Sequence, residues 1–274
     1  MIMHILNTHQ RVSRYLANNT NIDNTLQKHI AVIYERYYTP QTQTFDYKGF
    51  AGSEDYQTYR LMLSGLETFD LSRYTTDNAK MSFWLNIYNM LSIHLVIELA
   101  IEQRIDEKKG FFSKYGYTIN RKNFCLDDIE HGILRANKKG YSRLQKPFKT
   151  NDLRLALTCK KPDPKIHFGL YSANLSSPTL RLFNEKNIHQ QLIDNTKRYL
   201  KTHCRFDFNT AKIDLPKIFK WYEGDFGNIN NIIDFIVLHR DDEQIKSNMS
   251  TYKNNIEFEY LDFKWNLNRT KNQH

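Results

Sequence analysis

The sequence predicts an α+β fold: a mostly helical single domain with a small mixed or antiparallel sheet. Three observations predict it. Residues 76–101 are apolar almost all the way round at helical spacing. Two stretches, 114–135 and 204–222, each read as a short hairpin running into a helix. The 274 residues are 40% hydrophobic and 14% aromatic, which suits a folded core and excludes a disordered chain.

Taken in order, residues 1–75 read as an N-terminal helical layer packed on the core. Ile30, Val32, Ile33, Tyr37 and Tyr38 carry partial helical spacing, stopped near Pro40. Residues 39–51 hold Pro40, Gly49 and several Thr and Gln, and read as a surface loop. Gln57 to Leu66 gives a further short helix. Residues 76–101 follow as a buried central helix, capped by Asp77 or Asn78. Ser82, Asn86 and Asn89 form a polar stripe on that helix. Buried amides need partners, so Asn86 and Asn89 either pin a neighbouring loop backbone or line a pocket. His94 reads as a satisfied core histidine.

Residues 117–119 and 123–125 flank Asn120-Arg121-Lys122 as a hairpin. Asp127 then stands as N-cap of a helix, with Glu130 at capping-box spacing. That spacing gives Glu130 a structural explanation beside a catalytic one. His131 has none, and Gly132 after it leaves open space, so His131 is the first histidine to suspect of chemistry. Asp152 to Thr158 gives a helical turn in a basic connector. Cys159, next to Lys160 and Lys161, is the cysteine whose thiolate is most favoured. Ile166 to Tyr171 reads as a buried strand, and Ser177-Pro178 as a capped helix start running to about Lys201. The second hairpin spans Cys204–Phe208 and Ala211–Ile213. Helices follow from Pro216, over 231–239 and over 241–249, then a strand over 256–261. Trp265 reads as an aromatic plug, and residues 269–274 as a frayed tail.

The net charge of +9 is scattered, with no block of five or six like charges, and no nucleic-acid motif is present. Three cysteines without paired spacing fit neither a disulfide framework nor a zinc site, and the ten histidines form no metal-ligand pair. No cofactor and no metal is expected. The first ten residues lack an apolar h-region and no window can span a membrane, so the chain as written reads as cytoplasmic, or exported if a leader has been removed.

Several blocks together resemble the domain-of-unknown-function family 547. They are Phe83-Trp84-Leu85-Asn86-Ile87-Tyr88-Asn89, Leu126 to Arg135, Lys161 to Phe168, Ser176-Ser177-Pro178, Ile218 to Tyr222 and Tyr260 to Asn268, in family order over about 75–268. The resemblance makes residues 76–268 the family core domain. It implies a compact core distantly like papain-type or transglutaminase-type cysteine hydrolases, with a thiol nucleophile. Where the family pattern has Cys-Gly, this chain has Ser172-Ala173, and the histidine of its IEHG segment is His131. None of the three cysteines falls on the family's cysteine position.

Two functions are carried from here. In one the domain is a peptide or amide hydrolase or acyl-transferase. Ser172 is its nucleophile and His131 its base, with Asn86, Asn89 or Glu130 orienting the imidazole and the amides near Ser176 and Ser177 as oxyanion donors. Tyr88 and His167 join the binding set. His167 is also the alternative base, although five residues before Ser172 on one strand it faces the other way. In the other, the domain is a pseudoenzyme that holds a peptide or protein partner in the retained cleft. A serine needs a well-placed base far more than a cysteine does, so the replacement itself divides the two.

Overall fold

The computed structural model describes residues 3–8, 22–141, 143–207, 209–253 and 256–270. At its centre lies the helix foreseen from residue 76, here α4 (Asp77–Glu98), buried from Ala79 to Val96. Thr76, rather than Asp77 or Asn78, caps it: its hydroxyl accepts from the Ala79 N–H at 3.0 Å.

Before α4 come β1 (His4–Ile5), α1 (Ile22–Tyr37), the ladder β2 (Tyr38–Thr39) and β3 (Thr44–Phe45), α2 (Tyr47–Ala51) and α3 (Glu54–Ser64). Residues 39–51 are therefore not a surface loop. They contain β3 and α2, and they bury Phe45, Tyr47 and Phe50. Polar Thr and Gln at the tip mask aromatics that pack against Tyr37, Tyr56 and Tyr59. Tyr47 reaches across the molecule, its hydroxyl 3.0 Å from that of Tyr171 and 2.8 Å from Asn268 Oδ1.

The first hairpin forms, with Lys122 in the second strand rather than in the loop. β4 (Tyr115–Ile119) pairs antiparallel with β5 (Lys122–Cys125), and β1 adds parallel to β4, so the sheet is mixed. The two turn residues, Asn120 and Arg121, both sit at positive φ (48° and 57°), the geometry a two-residue hairpin needs. The second mixed sheet joins β6 (Arg205–Asp207), β7 (Lys212–Leu215) and β8 (Glu257–Tyr260), with β8 parallel to β7. Between these strands lie α6 (Lys217–Trp221), α7 (Glu223–Phe226), α8 (Ile229–His239) and α9 (Glu243–Tyr252). Phe208, at the end of the expected strand, lies outside the described residues, as do residues 1–2, 9–21 and 271–274. Residues 269–270 are pinned rather than frayed, since the Thr270 N–H donates to the Phe45 carbonyl at 3.2 Å.

Two expected elements do not form, for one physical reason. Ile166–Tyr171 is not a strand: Pro164–Phe168 is a 3-10 helix capped by Asp163, and irregular chain follows. No helix starts at Pro178 either. Residues 178–184 form neither helix nor strand, and α5 begins only at Ile188, running to His203. Buried side chains claim the backbone groups that a strand or helix would have used. Asn89 holds the Gly169 carbonyl (3.1 Å) and the Tyr171 N–H (2.8 Å). Asn86 holds the Phe183 carbonyl (2.8 Å) and N–H (2.9 Å). Asn195 reaches the carbonyls of Phe168 and Thr179, and Gln191 those of Leu182 and the N–H of Asn184. Short apolar runs of this kind carry no periodicity that separates strand from any other buried chain.

Candidate functional site

Residues 128–134 form a π-helix, closed by the Arg135 N–H donating to the Glu130 carbonyl at 2.9 Å. Such five-residue turns occur most often where side chains are placed for function. The expected capping box is absent: Asp127 is helical and caps nothing, while Asp128 turns back to accept from the Cys125 N–H. Glu130 thereby loses its structural explanation and points into a cavity. Nor does Gly132 open space, because a side chain there would strike Phe148. Gly140 matters more, since a Cβ at that position would fall 2.8 Å from His131 Nε2. The chain passes directly over the imidazole and buries it.

The cavity holds about 350 Å³ and lies between the π-helix, residues 105–113, the 3-10 helix carrying His167, the loop 170–178 and the segment 218–222. Tyr88, Glu130, His131, His167, Ser172 and Ser176 line it. Asn86, Asn89 and Ser177 do not; the two amides pin loop backbone, as the blander expectation had it. They hold no imidazole. The mouth is aromatic, with Tyr141 stacked on Trp221 at 4.7 Å and Trp265 and Phe263 beside them.

The hydrogen bonds decide which imidazole nitrogen is free. His131 Nδ1 lies 3.1 Å from Arg135 Nη1, a group that only donates. His131 therefore accepts there and carries its proton on Nε2, facing Asp127 Oδ1 at 3.9 Å. Its lone pair is taken, so His131 is not a free base. His167 is arranged the other way. Its Nε2 lies 2.8 Å from Asp225 Oδ2, an acceptor, which leaves Nδ1 as a bare lone pair inside the protein with no partner. His167 stacks on Tyr222 at 3.8 Å and is 2% exposed. The strand-parity objection to His167 disappears with the strand.

Asp225 is the residue that sequence reasoning missed. It accepts from His167, from Arg135 Nε at 2.5 Å and from Lys138 at 2.7 Å. Burial works to raise its pKa, but the bonds from His167, Arg135 and Lys138 outweigh that and hold it well below the carboxylate range. It stands three residues past the Ile218–Tyr222 block, and that adjacency was the available signal.

Burial lowers the His131 pKa from 6.5 to about 4, with Arg135 and Arg143 acting in the same direction against Asp127. Burial lowers that of His167 too, against Asp225 and Glu130. Both imidazoles are neutral at pH 7. A folded pKa below the unfolded one means that the unfolded chain binds the proton first. The stabilisation from His131 is therefore complete above pH 6.5 and is lost as pH falls toward 4. Unfolding in urea should show His131 withdrawing about 3 kcal/mol between pH 7 and 4. His131→Gln should flatten that slope; an unchanged slope would contradict the assignment.

Ser172 is half-buried and engaged within its own loop. Its Oγ accepts from Asn174 Nδ2 at 2.9 Å and lies 3.4 Å from Ser177 Oγ. It makes no hydrogen bond to His131. The amides expected to form an oxyanion hole are also spoken for: Ser176 N–H bonds Asn174 Oδ1 and Ser177 N–H bonds the Asn174 carbonyl, while the Ser172 N–H bonds Ser177 Oγ. Ala173 keeps a φ of 59°, so the left-handed turn persists without a glycine. The cysteines offer no substitute. Burial pushes the thiols of Cys159 and Cys204 up to about 12 and that of Cys125 well above its ordinary range, and the cations beside Cys159 do not rescue its thiolate.

Residues 71–200 match the model of a family described as Protein of unknown function, DUF547. Residues 71–200 carry that family's domain. The DUF547 match covers Tyr88, Glu130, His131, Arg135, His167 and Ser172, whereas Trp221, Tyr222, Asp225 and Trp265 lie beyond its end. No curated protein and no solved structure matches the chain. Among the described residues no helix is long and apolar enough to cross a membrane, and no group of His, Cys, Asp or Glu is placed to hold a metal ion.

Proposed function

We propose that the cavity is the cleft of a hydrolase-like domain that holds a peptide or another amide-bearing ligand without turning it over at Ser172. One observation carries this reading: Ser172 Oγ is bonded within its own loop by Asn174 and Ser177 and by no imidazole. A serine hydroxyl is a poor nucleophile until a base takes its proton. The relationship to papain-type or transglutaminase-type hydrolases belongs to the same proposal, supported by the resemblance of the Ser172-Ala173 position to a Cys-Gly pair. The aromatic mouth and the few polar groups behind it suit recognition of a peptide-like ligand.

A fluorophosphonate probe with mass mapping tests it. The protein should carry no adduct at Ser172, while Ser172→Cys should take a thiol-reactive probe there and so establish that the position is reached. An adduct on wild-type Ser172 that disappears in His167→Gln would overturn the binding-only reading in favour of hydrolysis.

A further inference from the structure

We infer that the inner end of this cleft recognises a primary ammonium group, held between the Glu130 carboxylate and His167 Nδ1. The inference rests on the cleft being a binding site and names the chemistry of what enters it.

Asp225 has Arg135 and Lys138, and Asp127 has Arg143. Glu130 is buried nearly as deeply as Asp225, its side chain 9% exposed, yet among the described residues no lysine or arginine nitrogen lies within 4 Å of it. Its neighbours are the hydroxyls of Tyr88, at 3.4 Å, and Tyr222, with His131 Nδ1 at 3.7 Å and His167 Nδ1 at 3.9 Å, and neither hydroxyl brings charge. Neither imidazole supplies positive charge. His131 Nδ1 already accepts from Arg135, and His167 Nδ1 is the lone-pair nitrogen opposite Asp225. A buried carboxylate without a cation is costly, and so is a buried lone pair without a donor.

Both deficits sit in one place. Two acceptors 3.9 Å apart, Glu130 Oε1 and His167 Nδ1, face each other with no proton to share. One nitrogen carrying several N–H groups can donate to both, and an ammonium also brings the missing charge. A water molecule in that position would leave the charge uncompensated. Of the cationic groups nearby, Arg135 is held by Asp225 and the Lys139 carbonyl and Arg143 by Asp127, while Lys108 and Lys109, which also line the cavity, make no ion pair with Glu130. An amine on a lysine side chain and the free amine of a peptide N-terminus share this chemistry.

Titration of the full chain, read by the fluorescence of Trp221 and Trp265 in the cleft wall, tests the inference. The probes are n-butylamine for a lysine side chain and alaninamide for a peptide amine. Controls are n-butanol, butyrate and N-acetylalaninamide. At pH 7 at least one amine should saturate the signal at a concentration about tenfold or more below n-butanol and butyrate. The tighter of the two amines names the source. Glu130→Gln, nearly the same shape, should erase the preference; should that variant not fold, the wild-type comparison decides alone. Butyrate or butanol binding as well as the amines would overturn the inference, as would a preference that survives Glu130→Gln. Binding of N-acetylalaninamide without any preference for amines would overturn it while leaving the cleft reading intact. No binding by any probe would remove both.

Discussion

Replacing Asn89 by Ala is expected to cost about 3–5 kcal/mol of folding stability, because it strands two buried backbone groups at once. Asn89 is fully buried, and its amide is the partner of both the Gly169 carbonyl and the Tyr171 N–H. The segment they belong to has no strand or helix to fall back on, so nothing else answers those groups. Each is worth about 1–3 kcal/mol when left unsatisfied out of water, and a small cavity adds to the sum. The same loop carries Leu170 and Ser172 into the cleft, so ligand binding should weaken together with stability. Asn89→Asp separates the contributions, since it keeps the acceptor for Tyr171 but loses the donor for Gly169. Urea unfolding of the two variants beside wild type measures this. A loss under about 1 kcal/mol for Asn89→Ala would mean that water replaces the amide, and the pinning role would fail.

The second large effect is expected at the Arg135–Asp225 pair. Arg135 is 4% exposed and meets Asp225 through Nε, the Lys139 carbonyl and His131 through Nη1. Asp225→Asn leaves the buried Arg135 without a carboxylate and should lose about 3–5 kcal/mol, while Arg135→Met leaves Asp225 with Lys138 and His167 and should lose less. The double variant Arg135→Met with Asp225→Leu should recover much of that loss, because it removes both charges together. Additive losses in that cycle would show that the two side chains do not act as a pair. The Asp225 carboxyl titrates well below its unfolded value near 3.8. Its stabilisation is therefore fully present above that value and is lost as pH falls further, a lower window than that of His131. Asp225→Asn should also release His167 Nε2, so amine binding in the cleft should fall with it.

The legible parts of the fold were those with a local cause. The all-round apolar pattern of residues 77–98 produced a central helix, and Asn120-Arg121 between apolar runs produced a two-residue turn. The site residues named from the family blocks were partly legible as well: Tyr88, Glu130, His131, His167, Ser172 and Ser176 do meet in one cavity. What failed was the assignment of roles. Spacing suggested a capping box for Glu130 and a free base in His131, but a π-turn points Glu130 inward and Arg135 occupies the His131 lone pair.

The opening between strand and helix that sequence placed around residues 166–181 shows why. That segment has the composition of an apolar run and a capped start, and composition alone fixes only that it is buried. Whether it becomes strand, helix or extended chain depends on which partner takes its backbone groups. Asn86, Asn89, Gln191 and Asn195 take them, from helices 75 to 100 residues before it and just after it in the chain. The sequence by itself determined the central helix, the hairpin turn and the family of the domain. Only the tertiary structure decided that Asp225 orients His167, that Ser172 is held by its own loop, and that Glu130 is left without a cation. These are relations between residues 130, 167, 172 and 225, and a hydrogen bond depends on distances of a few ångströms that no linear spacing encodes.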